Sequence, residues 1–465
     1  MSPAGMAAQQ EQQVSAKTDD KDTPRGEGEA TSDQSRRLAT SRIGRFGQVA
    51  RLAGGVAGGM LAEGGRQLLN GNLPSARDML LTPGNAKRLT RQLASMRGAA
   101  MKLGQMLSMD SGDLLPRELA DILARLRSAA FTMPEDQLEK RLNRALGKDW
   151  REHFTRFETK PIAAASIGQV HRAQMQDGRD IVLKIQYPGV AKSIDSDIDN
   201  VATLLRMSGL LPRGIDIQPL LEDAKAQLRA EADYTREARQ QQRFVETLQE
   251  DARFFVPAVV ESLSGRSVLA MDHAQGMPIE QVAGLSQSLR DHVASALFEL
   301  MLRELFELHY MQTDPNFANY LYDENSKRIV LLDFGATRRF HAQFSHDYAD
   351  LLRAALAHDN DALCDAAERV GYSVGEPGSV YRGLLVDLFN IVLDPLRHDS
   401  VLDFGNADFV VDLAALGERV RSHREFWHAP PADALYLHRK IGGMYLLAAR
   451  LKARVNVREL VLRWV

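Results

Sequence analysis

An aspartate and an asparagine five residues apart, Asp314 and Asn319 in QTDPNFANYLYD, precede a short apolar run, Ile329-Val330-Leu331-Leu332, that ends in Asp333-Phe334-Gly335. Phosphoryl transfer needs a carboxylate beside the attacking oxygen and oxygen ligands that hold Mg2+ on the nucleotide phosphates, and these three polar residues can supply both. Upstream, Asp180-Ile181-Val182-Leu183-Lys184-Ile185 reads as a buried strand that delivers one ammonium to the α/β-phosphates. A lone strand lysine is ordinarily a solvated surface charge, and Asp-Phe-Gly is common by chance. The kinase order of lysine, Asp and Asn, then Asp-Phe-Gly gives each part its meaning.

The elements that must hold these residues are visible in outline. Phe154 to Val190 reads as strands, with the Ala/Gly-rich turn of PIAAASIGQVHRA, an Asp177-Gly178 hairpin turn and the Lys184 strand. Helical pattern runs from about Ile194 to Leu248, followed by FFVPAVV and a strand pair around Gly265 that ends at Asp272. The remainder, apart from the catalytic strands, is predominantly helical. A β-rich lobe before a helical lobe predicts an α+β, bilobal, protein-kinase-like fold with a helix-rich C-lobe. Residues 83–150 are helical in pattern, with apolar Leu93, Met96, Ala100, Leu103 and Leu107 and breaks at Pro116 and Pro134, so an N-terminal helical extension precedes the kinase-like part.

Composition limits the partners. A net charge of -3 over 465 residues gives no whole-molecule field of the kind nucleic-acid binders use, so no nucleic-acid partner is expected. The one cysteine, Cys364, excludes an intrachain disulfide and a cysteine-cluster metal site, and reads as a helix-packing residue. No run approaches the roughly 20 apolar residues that span a bilayer. Residues 1–35 are polar and expected to be disordered, and their acids argue against a mitochondrial presequence. A bacterial cytoplasm, with the protein peripheral on the inner membrane, is the simplest expectation.

From Arg36 to Ala62 the chain carries five arginines and no acid, with Gly54, Gly55, Gly58 and Gly59 in small-xxx-small spacing. On a helix these glycines make a ridge for close approach of another backbone, a route to a homodimer, while the arginines suit anionic headgroups. A glycine-loosened linker or a helix packed on its own domain fits the same residues. The expected divisions are a tail, 1–35; an Arg/Gly-rich amphipathic segment, 36–70; the helical extension, 83–150; an N-lobe, 151–276; and a C-lobe, 277–465.

Three departures separate the chain from an ordinary protein kinase. The turn over the phosphates is Ala163-Ala164-Ala165-Ser166-Ile167-Gly168-Gln169, where glycines would let backbone N–H groups close on oxygen. The catalytic loop reads Gln312-Thr313-Asp314 in place of His-Arg-Asp, and Asn316 stands where a phosphate-steering lysine is usual, so two positive charges are missing. Soon after Gly335, HAQFSHDYADLLRAAL is helical in pattern and leaves no room for a long loop that would seat a polypeptide. Phosphorylation of proteins is not expected.

Together with MKLGQMLSMD (101–110), EADYTREA (231–238) and AAASIGQVHRA (163–173), these departures resemble the UbiB family of atypical protein-kinase-like proteins, over roughly residues 40–455. VLKIQYPGV and MQTDPNFANYLYD are most similar to the branch that contains the mitochondrial ubiquinone-biosynthesis kinase-like protein. The resemblance implies that a Lys-x-Gly-Gln motif, here Lys102, Gly104 and Gln105, folds over the cleft where a kinase would seat a peptide. It implies that Lys102 pairs with Glu231, with Asp233 beside it, and that Glu237, further along what reads as the same helix, holds Lys184. On one ideal helix Glu231 and Glu237 would point about 120° apart and serve different partners. The adenine is expected against Met271 to Gly276, on backbone groups around Met271, Asp272 and Ala274, with Met271 as gatekeeper and His273 a bystander.

The expected cofactors are ATP or ADP and Mg2+, with Asp333 and Asn319 on metal, Lys184 on phosphates, Asp314 as base, and Ala163, Ala164, Ala165, Ser166 and Gly168 forming the turn over the phosphates. The expected function is a Mg-dependent kinase-like ATPase supporting ubiquinone or another prenylquinone, with a lipid or prenylquinone intermediate as partner. A phosphotransferase acting on a small lipid-like hydroxyl, a nucleotide-gated scaffold and a nucleotide-driven lipid extractor remain open, since all would share one nucleotide site.

Overall fold

The computed structural model describes residues 132–207, 218–406 and 431–465. The tail, the Arg/Gly-rich segment with its Gly54–Gly59 ridge, and Lys102, Gly104 and Gln105 lie outside the described residues.

The N-lobe begins with a helix started by proline and stopped by glycine. Pro134 precedes α1 (Glu135–Leu146), Glu135 and Asp136 sit favourably in its first turn, and Gly147 ends it at φ +96°. Leu138 and Leu142, four residues apart on one face, are buried in a core with Trp150, Phe154, Leu183 and Ile185. That core is the inner face of an antiparallel sheet made of β1 (Phe154–Phe157), β2 (Ala163–Ala164), β3 (Gly168–Met175), β4 (Asp180–Gln186) and, later in the chain, a fifth strand at Val268–Asp272. The expected division at residue 150 thus runs between α1 and the sheet it packs on. Gly178, at φ +87°, makes the turn between β3 and β4. Strand alternation puts Ile181, Leu183 and Ile185 of β4 into the core and turns Lys184 to the opposite face.

The helical pattern read as continuous to Leu248 is three helices, α2 (Val190–Met207), α3 (Gln218–Glu231) and α4 (Tyr234–Leu248). Glu231 and Glu237 therefore stand on different helices, which corrects the single-helix reading. The cause is Asp233, whose side chain accepts the Thr235 N–H at 3.1 Å and caps α4, so that the chain restarts instead of continuing. Hydrophobic periodicity does not register such a break, because the apolar stripe resumes within three residues.

After β5 (Phe254–Phe255) and β6 (Val268–Asp272) the chain enters the C-lobe through β7 (Met277–Pro278). Helix α5 (Gln287–Arg303) runs into a π-helical turn, Glu304–Leu308, and then into β8 (Tyr310–Gln312), β9 (Tyr320–Asp323), β10 (Arg328–Leu331) and β11 (Thr337–Arg339). The sheet order β5-β10-β9-β7 and the separate β8-β11 pair set two loops side by side, 313–319 and 332–336. Then come α6 (Ala342–Leu356), α7 (Asn360–Val370), α8 (Val380–Arg397), β12 (Leu402–Asp403), α9 (Ala432–Leu451), β13 (Arg454–Val455) and α10 (Val457–Val461). A second core runs through these elements and includes Phe244 of α4, which carries the packing into the N-lobe. Cys364 is buried within it. No helix among the described residues is long and apolar enough to cross a membrane.

If α1 is an integral part of the N-lobe, Leu142→Ala should lower the unfolding free energy by about 2–5 kcal/mol, read by urea denaturation. A change below about 0.5 kcal/mol, the usual size for a surface substitution, would mean that α1 is a detachable appendage.

Candidate active site

Three elements meet at one ammonium. Lys184 of β4 places Nζ 2.7 Å from Glu237 Oε1 and 3.0 Å from Asp333 Oδ2. Glu237 lies in the first turn of α4, where the helix dipole favours a carboxylate, and Asp333 follows directly after β10 and Leu332. The Lys184 and Glu237 side chains are buried, and the Tyr234 ring lies under the ammonium at 5.3 Å. Asp333 is held by its own backbone, since the Gly335 N–H donates to Oδ1 at 2.9 Å. Space at Gly335 is tight: a Cβ would lie 3.2 Å from Asp333 Oδ1 and 3.3 Å from Glu237 Oε2, so either carboxylate would have to give way by a few tenths of an ångström.

Burial pushes the Glu237 carboxyl up to about 7; Lys184 opposes the rise, and the neighbouring Asp333 and Glu231 carboxylates add to it. Lys184 is penalised by burial, yet Asp333 and Glu237 overcome the penalty and hold its pKa well above the ordinary lysine range. Among the described residues, one cation thus faces more than one carboxylate, with Lys184 and Glu237 buried and Asp333 partly open to solvent.

Secondary contacts lock the arrangement. Arg236, next to Glu237, donates from Nη1 to the Gly335 carbonyl at 2.9 Å and from Nη2 to the Thr337 carbonyl. Phe334 packs with its ring tilted 38° against Phe244, centroids 4.7 Å apart, two turns along α4 from Glu237. Gln186, at the end of β4, donates to the Ala232 carbonyl between α3 and α4 and accepts from Arg141 of α1. Sequence reading passed over Arg236, Gln186 and Arg141. The one available signal was that Arg236 adjoins Glu237 in EADYTREA.

The turn over the cleft is the hairpin between β2 and β3, closed by the Ala165 N–H to the Gly168 carbonyl at 2.9 Å. Ala163 and Ala164 are exposed, and Ser166 donates to Glu231 at 3.4 Å, which ties the turn to the end of α3. Gly168 is forced by packing, because a Cβ would lie 2.5 Å from the Ile185 carbonyl and 2.8 Å from the Tyr234 hydroxyl. Asp233 points into its cap rather than toward Lys184. At the interlobe segment Met271 is buried and its sulfur receives the Gln241 amide at 3.5 Å. The Asp272 and His273 N–H groups are taken by the Ala258 and Asp180 carbonyls, whereas Ala274 makes no backbone hydrogen bond among the described residues. His273, its pKa lowered by burial and by Arg172, remains outside this set.

The Asp314 loop and the Asp333 loop are joined by the Leu332 N–H to the Asn319 carbonyl at 3.0 Å and by Thr313, whose hydroxyl donates to the Ala336 carbonyl at 2.8 Å. Asp314 is half-buried, and Asn316 uses its side chain to cap the short turn Phe317–Asn319. Asn319 is buried with its amide nitrogen unpartnered. Only Ala336 to His341 separate Gly335 from α6.

These residues fit Mg2+ on a nucleotide. Mg2+ is typically held by one or two protein oxygens, the rest of its shell being phosphate and water. Asp333 and the side-chain oxygen of Asn319 would supply such a sparse set, and the buried, unpartnered Asn319 amide nitrogen, a donor, would suit a phosphate or water oxygen beside the metal. Among the described residues no group of three or more His, Cys, Asp or Glu side chains forms an all-protein metal cage.

The ABC1 atypical kinase-like domain matches residues 125–367. The chain is 40% identical over 433 residues to the mitochondrial atypical kinase COQ8B of Rattus norvegicus, covering 92% of this chain and 82% of that protein. It is 37% identical over 448 residues to the mitochondrial atypical kinase COQ8 of Saccharomyces cerevisiae, covering 96% and 89%. Among solved structures, Rv3197 of Mycobacterium tuberculosis, in complex with erythromycin, superposes with a TM-score of 0.58 at 25% identity, covering 82% of this chain and 95% of that one. The fold is thus the bilobal protein-kinase-like fold expected. The expectation of a bacterial cytoplasm is overturned, because the similar COQ8 proteins are mitochondrial by name. Acids near the start of a chain were a weak guide to compartment.

Glu237 carries a stability signature. Its folded pKa of about 7 lies above the ordinary 4.5, so between those values the folded state holds a proton that the unfolded chain has released. This contribution to stability is full below about pH 4 and is lost as pH rises through about 7. Urea unfolding of nucleotide-free protein at pH 5 and pH 8 should show a decline steeper than that of Glu237→Gln by up to about 3 kcal/mol. Parallel pH dependences for the two proteins would remove the raised pKa.

Proposed function

We propose, from the premise that this chain belongs to the ABC1 family of atypical kinase-like proteins, also called the UbiB family, that it is an ATP-binding, Mg2+-dependent kinase-like ATPase supporting biosynthesis of ubiquinone. The observation that carries this reading is the closed Lys184–Glu237–Asp333 cluster, which joins the two lobes in the arrangement that nucleotide phosphates require. Lys184 would hold the phosphates, fixed in direction by Glu237. Asp333 and Asn319 would hold Mg2+, which when bound neutralises charge on the transferring phosphoryl group. Asp314 would orient the attacking oxygen and take its proton.

The attacking group is water or a small hydroxyl rather than a protein side chain. A polypeptide acceptor needs a surface to lie on, and the six residues Ala336 to His341 form a β-strand and a direct entry to α6 in place of such a surface. A lipid or prenylquinone intermediate with a phenolic or alcoholic hydroxyl is the partner this favours. Transfer to that hydroxyl is the second reading, supported by the same short connection.

Purified protein with Mg2+ and ATP should release phosphate, and Asp333→Asn should reduce turnover by about 100-fold or more, since it removes a charged metal ligand. Adding a water-soluble phenol as acceptor separates the readings: a labelled phenol supports transfer, and stimulated phosphate release without label supports the ATPase. Undiminished Mg2+-dependent turnover in Asp333→Asn would refute the metal assignment. Tight nucleotide binding without turnover under all conditions would favour a nucleotide-gated scaffold.

A further inference from the structure

Behind the loop that carries Asp314 lies a buried cation with no part in the assignments above. Lys440, in the middle of α9, is 3% exposed. Its ammonium donates to the Tyr320 hydroxyl at 2.9 Å and to the Gln312 side-chain oxygen at 3.2 Å, and it lies 3.8 Å from Glu304 Oε2. Glu304, 1% exposed in the π-helical turn, accepts the Gln312 N–H at 3.3 Å. Gln312 is thereby held by side chain and backbone two residues before Asp314, and Tyr320 is held one residue after Asn319. A third support lies along the same helix. Gly443 meets Pro315, the residue after Asp314, so closely that a Cβ there would fall 2.0 Å from Pro315 Cβ.

The ammonium is a real charge. Burial lowers its pKa, but Tyr320, Glu304 and, more weakly, Asp314 reverse the effect and raise it above the ordinary lysine range. Glu304 is pushed by burial to about 7, so near neutral pH it offsets the lysine only in part. Asp314 is thus among the carboxylates that feel this cation. The loop itself lacks cations, reading Gln312-Thr313-Asp314 with Asn316 two residues on.

We propose that Lys440 is a positioning residue for phosphoryl transfer: α9 supplies from behind the positive charge that the catalytic loop does not carry, clamping Gln312 and Tyr320 and thereby fixing Asp314 and Asn319 between them. The inference rests on the assignment of Asp314 and Asn319 to the reacting site. The alternative role for Lys440 is a counter-ion for Glu304, with no bearing on the loop.

Lys440→Met alone strands a buried carboxylate and can fail to fold, so the decisive protein is the double variant Glu304→Gln/Lys440→Met, in full-length chain, with thermal unfolding measured alongside. For ATP hydrolysis the double variant should retain its melting temperature and the KM for ATP within about threefold while kcat falls about 100-fold, the scale of a small misplacement of a reacting group. A double variant with unchanged kcat would overturn the proposal, since neutralising Glu304 would then have removed the need for the lysine. Hydrogen exchange of the amides of residues 312–320 gives a reading independent of turnover. If the unsubstituted protein does not hydrolyse ATP, the ATPase assignment fails by itself. Faster exchange in 312–320 with unchanged N-lobe exchange then supports the positioning role, and unchanged exchange in 312–320 overturns it.

Discussion

One ammonium ion constrains the whole molecule. Lys184 reaches across from the N-lobe sheet to carboxylates on α4 and at the end of β10. A buried charge left unpaired is far costlier than a paired one, so the strand, the helix and the Asp333 loop each have to arrive in register. The neighbouring contacts serve that requirement. Gln186 ties the end of β4 to the α3–α4 junction, Arg236 ties α4 to the segment after Asp333, and Phe334 inserts its ring against the same helix.

Among the described residues, Glu231, Glu237 and Asp333 gather around one lysine. On the proposed reading, nucleotide phosphates would add negative charge beside these carboxylates, and Mg2+ would offset it. A loaded cleft would also draw the Glu237 proton off, because added positive charge near a carboxyl favours its ionised form. The electrostatics of the empty and loaded protein therefore differ at the residue that aims Lys184.

The two lobes divide the work. The N-lobe contributes Lys184, Glu237 and Glu231 and a turn in which Ser166 and Gly168 are held by Glu231 and by packing, whereas the C-lobe supplies Asp314, Asn319 and Asp333 on two short loops. Those loops are stiff because the β8–β11 pair, Thr313 and the Asn319 carbonyl stitch them together, and because α9 packs under Pro315. Only a short passage, Ala336 to His341, runs from Gly335 to α6.

The residues assigned above to the proposed site were picked out in the sequence as polar residues set in or beside apolar strands, Lys184 in β4, Asp333 after β10, and Asp314 and Asn319 ahead of β9, and the structure brings Lys184 and Asp333 into contact. The hairpins, the bilobal order and the short connection after Gly335 were legible too, because glycine turns and apolar periodicity are local. Local patterns failed where an element ended for a side-chain reason, as at Asp233, whose cap splits the helix between Glu231 and Glu237. They also failed where the partner is remote in the chain. Arg141 with Gln186, Arg236 with Gly335, and Lys440 with Gln312 and Tyr320 are joined by tertiary packing across 45 to 128 positions. The sequence determined which groups could do chemistry, through residue type and spacing. Only the folded structure decided which of them share a low-dielectric space, because burial and charge pairing depend on neighbours that no stretch of sequence contains.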